Sequence, residues 1–270
     1  MYEIPKIWAG SQSSFEHMLE AMASAEQMMQ ARAAVRDPFE LPPLVAVQEG
    51  VGIVDIRGPL VSGSAGFMRL FGVTGYADIQ EALMEAAENK GVKSLMLNVA
   101  SGGGAVEGAD ETSVLIRSLS SIKPVLTFAS GTMASAALWL GSAGGRRLAS
   151  ATSIVGSIGV TTTHIDRSKQ LEKEGISATV FRSGKWKALI NSVEPLSETA
   201  KEHLQALVQD LNGIFESRIA SNLGVSAKVV HDKMGQGREF LGARAYDAGL
   251  VDGISNLQEA FAAAKILGRG

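Results

Sequence analysis

Val92–Asp110 reads VKSLMLNVASGGGAVEGAD, and its order of parts decides the fold. A nearly continuous apolar run, VKSLMLNVA, ends at three consecutive glycines, Gly102–Gly104. A helical pattern, EGADETSVLIRSLSS, follows directly. A strand that is apolar on both faces and passes through a glycine turn into a helix is the unit of a mainly parallel sheet covered by helices.

The same alternation continues on either side. Upstream, LVAVQEGVGIVDIRG predicts a strand pair ending at Gly58-Pro59, and YADIQEALMEAAENKG a helix closed by Gly91. Downstream, KPVLTFAS predicts a strand and MASAALWLGSAG a helix. RRLASATSIVGSIGV then reads as one strand, DRSKQLEKEG as a helix and ISATVFRSG as a further strand. A long helix follows, with Ser197 as N-cap, Gly224 as terminator, and Leu204, Leu207, Val208, Leu211, Ile214, Phe215 and Ile219 on one stripe. Near the N-terminus, Phe15, Met18, Leu19, Met22, Met28 and Met29 recur at helical spacing over 13–35, until the prolines at 38, 42 and 43 break the pattern. The expected organisation is an N-terminal helical arm and Pro-rich linker over 1–44, lying outside the main core, then one domain over 45–270.

Composition narrows the function. With 270 residues and 46% hydrophobic content the chain can bury one substantial core. Its 25 basic and 28 acidic side chains leave a net charge of -3, no footprint for nucleic acid or an anionic membrane. Cysteine is absent, which excludes thiolate metal sites and disulfides, and His17, His164, His203 and His231 lack metal-ligand spacing. The expectation is a protein with no metal, cofactor, nucleic-acid partner or membrane anchor. The N-terminus has no basic stretch leading into an apolar core, so the protein is expected in the cytoplasm rather than secreted.

Chemistry gathers around a few small residues. Gly102–Gly104 stand at the carboxyl end of a strand, where α/β sheets bind ligands. They serve equally as a flexible turn or as an anion-binding nest of backbone amides. The segment Phe128–Gly144, FASGTMASAALWLGSAG, surrounds Ser135 with alanine and glycine. Either a helix packs closely there, or a substrate approaches Ser135 with the Ala136 amide beside it. A nucleophilic serine needs a base. His164 is the histidine near the sheet pattern, with Asp166 adjacent. Lys187, in VFRSGKWKALIN beside Trp186, is the other candidate, with Lys185 as a decoy facing away. A lysine in a loop is ordinarily solvated. As a base it needs its pKa lowered from about 10.4 by burial, with the fold supplying on the order of 4 kcal/mol of desolvation.

Taken together, the motifs resemble the signal peptide peptidase A-like serine peptidases, and within them the prohead (capsid maturation) proteases of tailed phages. VDIRGPL resembles the opening strand, and NVASGGGAV stands where the family has Asn-Ser-Pro-Gly-Gly-Ser-Val, with Gly102 in place of proline. TMASAALWLGSAG, TSIVGSIGV, RSGKWKALI and the closing REFLGARAYDAGLVDGISNLQEAF follow in family order over about 45–262. The acidic residue often found after the family's lysine is missing.

The resemblance implies an α/β crotonase/Clp-protease-like ββα superhelix with a mainly parallel sheet, here carrying the N-terminal arm and C-terminal helices. It implies a Ser135–Lys187 dyad, an oxyanion hole from Gly103, Gly104 and Ala136, and Ser157 as a possible support for the lysine. It further implies protein substrates such as scaffold and capsid proteins, and homo-oligomers with active sites near protomer interfaces. The place of action would be the bacterial host cytoplasm or the inside of a prohead. Three other functions fit less of the chain: a cytoplasmic signal-peptide-peptidase-like protease, a crotonase-type acyl-CoA enzyme using Glu107, and a catalytically silent capsid-assembly factor.

Overall fold

The computed structural model describes residues 7–33, 41 and 43–269. The prolines at 38 and 42 lie outside the described residues. In chain order the chain forms β1 (Trp8–Gly10), α1 (Gln12–Ala33), β2 (Val45–Gln48), β3 (Val51–Arg57), β4 (Leu60–Val61), a 3-10 turn (Gly66–Phe71), β5 (Thr74–Gly75) and α2 (Tyr76–Glu88). The central part comprises β6 (Ser94–Ser101), β7 (Gly103–Ala105), α3 (Ala109–Leu119), β8 (Val125–Ala134), α4 (Ala136–Gly141), β9 (Arg146–Ala149) and β10 (Ile154–Gly156). Then come α5 (Ser168–Lys173), α6 (Glu198–Leu223), α7 (Ala227–Val229) with a π turn (Val230–Met234), β11 (Glu239–Leu241), α8 (Gly242–Asp247), β12 (Gly253–Ile254) and α9 (Leu257–Leu267).

The larger sheet runs β11-β10-β8-β6-β3-β2, with β9 beside β8 and β12 beside β9. Its inner pairs are parallel, and only β2 and β11 pair antiparallel. The expected mainly parallel sheet is therefore present. Alternation along its strands builds two cores. Leu95, Leu97 and Val99 of β6 face the main core with α2, α3 and α4, whereas Met96, with Leu126 and Phe128 of β8, packs against Ala260 and Ala264 of α9. A smaller sheet, β1-β7-β4-β5, stands beyond the ends of β3 and β6.

Two strand expectations need correction. RRLASATSIVGSIGV is two strands, both paired to β8: β9 along Leu126–Ala129, and β10 at Met133 and Ala134. The Ala129 carbonyl accepts from the Ser150 amide (2.9 Å) and the Ser153 hydroxyl (2.6 Å), turning the chain between them. ISATVFRSG forms no strand. Its alternating pattern suits a ladder, but among the described residues no strand pairs with it, and Phe181 is 91% exposed.

The long helix α6 has the expected caps: Ser197 accepts from the Ala200 amide (3.2 Å), and Gly224 is left-handed at φ 69°. Its stripe is covered along one side only, where Val208 and Leu211 also pack against the main core. Phe215 and Ile219 are buried, while Leu207 and Ile214 are exposed. Phe215 stacks on Trp139 of α4 with ring centroids 4.2 Å apart and planes 6° from parallel. Buried Asn222 donates to the hydroxyls of Ser113 (3.1 Å) and Ser142 (2.9 Å), tying α6 to α3 and to the end of α4. Among the described residues no helix is long and apolar enough to cross a membrane.

Phe215→Ala removes a fully buried ring and should cost about 3–5 kcal/mol in urea unfolding. Leu207→Ala, on the bare half of the same stripe, should stay within about 0.5 kcal/mol.

Candidate active site

Ser135 occupies the single residue between β8 and α4. With no loop to spread the change of direction, it takes φ 54° and ψ -124°, a conformation that costs a residue with a Cβ about 1–3 kcal/mol. Its surroundings hold it there: its amide donates to the Gly156 carbonyl (2.8 Å), and its own carbonyl accepts from the Trp139 amide (2.9 Å). The side chain is buried, and its hydroxyl donates over 3.4 Å to the Gly159 carbonyl.

Both reasons for the small residues around Ser135 apply, at different positions. A Cβ at Gly141 would collide with the Met133 sulfur and one at Gly144 with the Thr127 hydroxyl, so these glycines serve close packing of α4 on β8. Thr127 Oγ1 completes that contact by donating to the Gly141 carbonyl (2.8 Å). The Ala136 amide instead faces the glycine loop, and the Ser135 hydroxyl turns to Gly159.

In that loop Gly103 has φ 93°, and a Cβ on it would collide with the Ala9 carbonyl oxygen and stand 2.9 Å from the Ala136 nitrogen. The Gly103 amide donates to Ser101 Oγ (3.1 Å), which in turn donates to the Gly58 carbonyl (2.5 Å). Gly104 lies against β4 so closely that any Cβ would collide with the Leu60 carbonyl. The loop thus brings Gly103, Gly104 and Ala136 together, with the Gly103 amide already engaged by Ser101.

Beyond β10 the chain turns through Gly156 (φ 133°) and Ser157 (φ 55°). The Ser157 amide donates to the Arg238 carbonyl (2.6 Å), and the Ile158 carbonyl accepts from Gly237 (2.9 Å). Ser157 therefore shapes the turn that carries Gly159 to the Ser135 hydroxyl.

The two candidate bases lie elsewhere. Lys187 is exposed in a turn closed by its own amide on the Gly184 carbonyl (3.1 Å), and no hydrogen bond joins it to Ser135. The expected decoy, Lys185, lies over the Trp186 ring at 5.0 Å, and Trp186 also meets His203 at 5.3 Å. His164 makes no hydrogen bond to Ser135, and its Nε2 is buried without a hydrogen-bond partner. Asp166 serves Ser168, accepting from its amide at 2.8 Å, and hydrogen bonds from the Ser168 side chain and backbone hold its carboxyl below the usual range. Glu107 is exposed. Among the described residues no three histidines or carboxylates gather to hold a metal ion.

The N-terminal segment, expected outside the main core, reaches into it: Ala9 is buried there, and Trp8–Gly10, Ser11 and Ser14 line the glycine loop and β7. Ser14 Oγ donates to the Gly103 carbonyl (3.1 Å), the Ser11 amide donates to the Gly102 carbonyl (3.0 Å), and β1 pairs with β7. Gly102, the departure from the family's proline, sits under Ser11, whose Oγ would be 2.8 Å from a Cβ there. Nothing in IWAGS, a short run of ordinary residues, announced this.

The model of peptidase family S49 matches residues 117–269, more than half of the chain, and takes in both Ser135 and Lys187. Capsid assembly protease C of Escherichia phage lambda is 33% identical over 214 residues, which are 79% of this chain and 48% of that protein. Head-tail preconnector protein GP5 of Enterobacteria phage P21 is 31% identical over 214 residues, 79% of this chain and 42% of that protein. The chain spans about half the length of these curated relatives or less. An enoyl-CoA hydratase from Mycobacterium marinum superposes with a TM-score of 0.51 at 16% identity, covering 84% of this chain and 85% of that one. That likeness is one of fold, and it places the chain in the crotonase-like architecture.

Gly63 and Gly103 separate backbone strain from collision. Both have positive φ, but a Cβ at Gly63 meets nothing within 4 Å. Gly63→Ala should cost about 1–2 kcal/mol in urea unfolding. Gly103→Ala should cost clearly more, because contact with Ala9 and Ala136 is added to the strain.

Proposed function

The chain belongs to peptidase family S49, and from that premise we propose that it is a serine endopeptidase with Ser135 as nucleophile and Lys187 as general base. We take residues 45–270 as the peptidase domain. The observation that carries the reading is the strained Ser135, alone between strand and helix, with the Ala136 amide and the glycine loop converging beside it.

Neutral Lys187 accepts the Ser135 Oγ proton while Oγ bonds to the scissile carbonyl carbon. The Gly104 and Ala136 amides hold the negative oxygen, and Gly103 gives the loop its shape through its positive φ. On collapse, the C–N bond breaks and the amine leaves with the proton from the lysine. A water then gives its proton to Lys187 and attacks the acyl ester, and Ser135 recovers its proton as the acid product departs.

Burial sufficient to keep a lysine neutral requires a surface over Lys187. Ile176, Phe181 and Trp186, on the same segment, are exposed at 51%, 91% and 54%, apolar surface that a second copy would cover. On this reading the protein is a homo-oligomer in which Lys187 of one copy serves Ser135 of another. The similarity to a capsid assembly protease favours scaffold and capsid proteins as substrates, cleaved in the bacterial host cytoplasm or inside an immature shell.

Ser135→Ala and Lys187→Ala should each lower cleavage of an unfolded protein by roughly 10^4-fold or more, while His164→Ala stays active. Mixing the two inactive variants should restore part of the activity, because some interfaces then pair an intact serine with an intact lysine. An active Lys187→Ala beside a dead His164→Ala would replace the dyad with a histidine mechanism. Failure of the mixed variants to recover would place both residues of a site in one copy.

A further inference from the structure

The strand β1 is paired along both edges. On one side it runs antiparallel to β7, with Trp8 opposite Ala105, Ala9 opposite Gly104 and Gly10 opposite Gly103. On the other side Trp8 and Thr161 exchange two backbone hydrogen bonds, of 3.1 and 3.0 Å, in an antiparallel bridge. β7 leads out of the glycine loop, and Thr161 lies two residues beyond Gly159, the acceptor of the Ser135 hydroxyl. An extended peptide gripped by backbone on both edges, within reach of the nucleophile, is how a peptide binds by strand addition.

Register brings the Ala9 carbonyl to the loop's amides. The Ser11 amide bonds the Gly102 carbonyl, so alternation along the antiparallel ladder makes Ala9 and Gly104 the next hydrogen-bonded pair. The Ala9 carbonyl oxygen and the Ala136 nitrogen both crowd the point where a Gly103 Cβ would stand. Ala9 is fully buried, whereas the Trp8 ring packs edge-on against Phe15 (centroids 5.3 Å apart, planes at 77°). Gly102 belongs to the same arrangement, since a larger residue there would press on Ser11 and the start of α1.

We propose that Trp8–Gly10 is an internal peptide ligand of the catalytic cleft, seated where substrate must lie, and that substrate enters only when this strand leaves. The cleft then takes an extended peptide with a small residue in the place of Ala9 and a large apolar one in the place of Trp8. This inference rests on the peptidase reading for its consequence, but the seating of the strand has a readout of its own.

The chain has no cysteine, so Trp8→Cys with Thr161→Cys introduces the only two thiols. Residues facing each other in a hydrogen-bonded antiparallel pair have Cα atoms about 5.5 Å apart, within disulfide range. Oxidised glutathione takes two electrons and two protons from the pair, forming the disulfide that locks the strand in place. The double variant is compared with itself in the two states. Peptide cleavage should fall by about tenfold or more on oxidation and return with reductant, because the open fraction of the cleft is removed. Equal cleavage in both states, with the disulfide confirmed by mass, overturns the proposal, as does loss of cleavage in both while the wild type remains active.

If the wild type cleaves nothing, it is the peptidase reading that fails. Occupancy is then decided by fluorescence anisotropy of labelled Ile-Trp-Ala-Gly-Ser: binding to the reduced variant alone supports it, and equal binding or none overturns it. Should the double variant not fold, amide exchange in the wild type decides. Millimolar Ile-Trp-Ala-Gly-Ser should speed exchange at Trp8 by displacing the strand, and unchanged exchange overturns the proposal.

Discussion

The direct passage from β8 into α4 through one residue is the constraint on which the rest of the site depends. A chain that leaves a parallel strand and enters a helix with no loop must reverse its backbone at a single φ, and Ser135 does so at 54°. That conformation persists only if its neighbours over-determine it. The Gly156 carbonyl holds its amide, Met133 and Ala134 pair with β10, and α4 is locked from above by the Trp139–Phe215 stack and the Asn222 hydrogen bonds. The strain sets the Ser135 hydroxyl toward the Gly159 carbonyl and the following amide toward the glycine loop, within an otherwise apolar core.

Around that turn the cleft is assembled from separate pieces of chain, each unable to form it alone. The glycine loop supplies backbone amides because glycine tolerates both the positive φ at 103 and the near contact with Leu60 at 104. The turn at Gly156–Ser157, tied to Arg238 and Gly237, supplies the opposite wall. The N-terminal segment lies between them. Lys187 stands apart on an exposed, strand-free stretch that also carries the exposed apolar side chains of Ile176, Phe181 and Trp186.

Several parts of this were legible residue by residue. The alternation of apolar runs and helical patterns placed β3, β6 and β8 and the helices α2 and α3, because strands buried on both faces are written as continuous apolar stretches. Ser197 and Gly224 were legible as caps because capping is chemistry between neighbours in sequence. Legibility stopped where neighbours in space took over. RRLASATSIVGSIGV looked continuous, but the Ala129 carbonyl, reached from both Ser150 and Ser153, bends it into two strands. ISATVFRSG had the composition of a strand without a strand to pair with.

What the sequence determined by itself was the class of fold and the residue types available for chemistry: a parallel sheet under helices, a glycine turn, and a serine among small neighbours. Those are set by periodicity and by what glycine, alanine and serine permit locally. Only the tertiary structure decided which backbone lies in the cleft. The Ser11 amide meets the Gly102 carbonyl, and Trp8 meets Thr161 across 153 positions. Contacts of that kind are backbone hydrogen bonds, available to almost any residue, and so they leave no mark in composition or spacing. They arise only when the sheet has brought its strand ends together and left two open edges one strand apart.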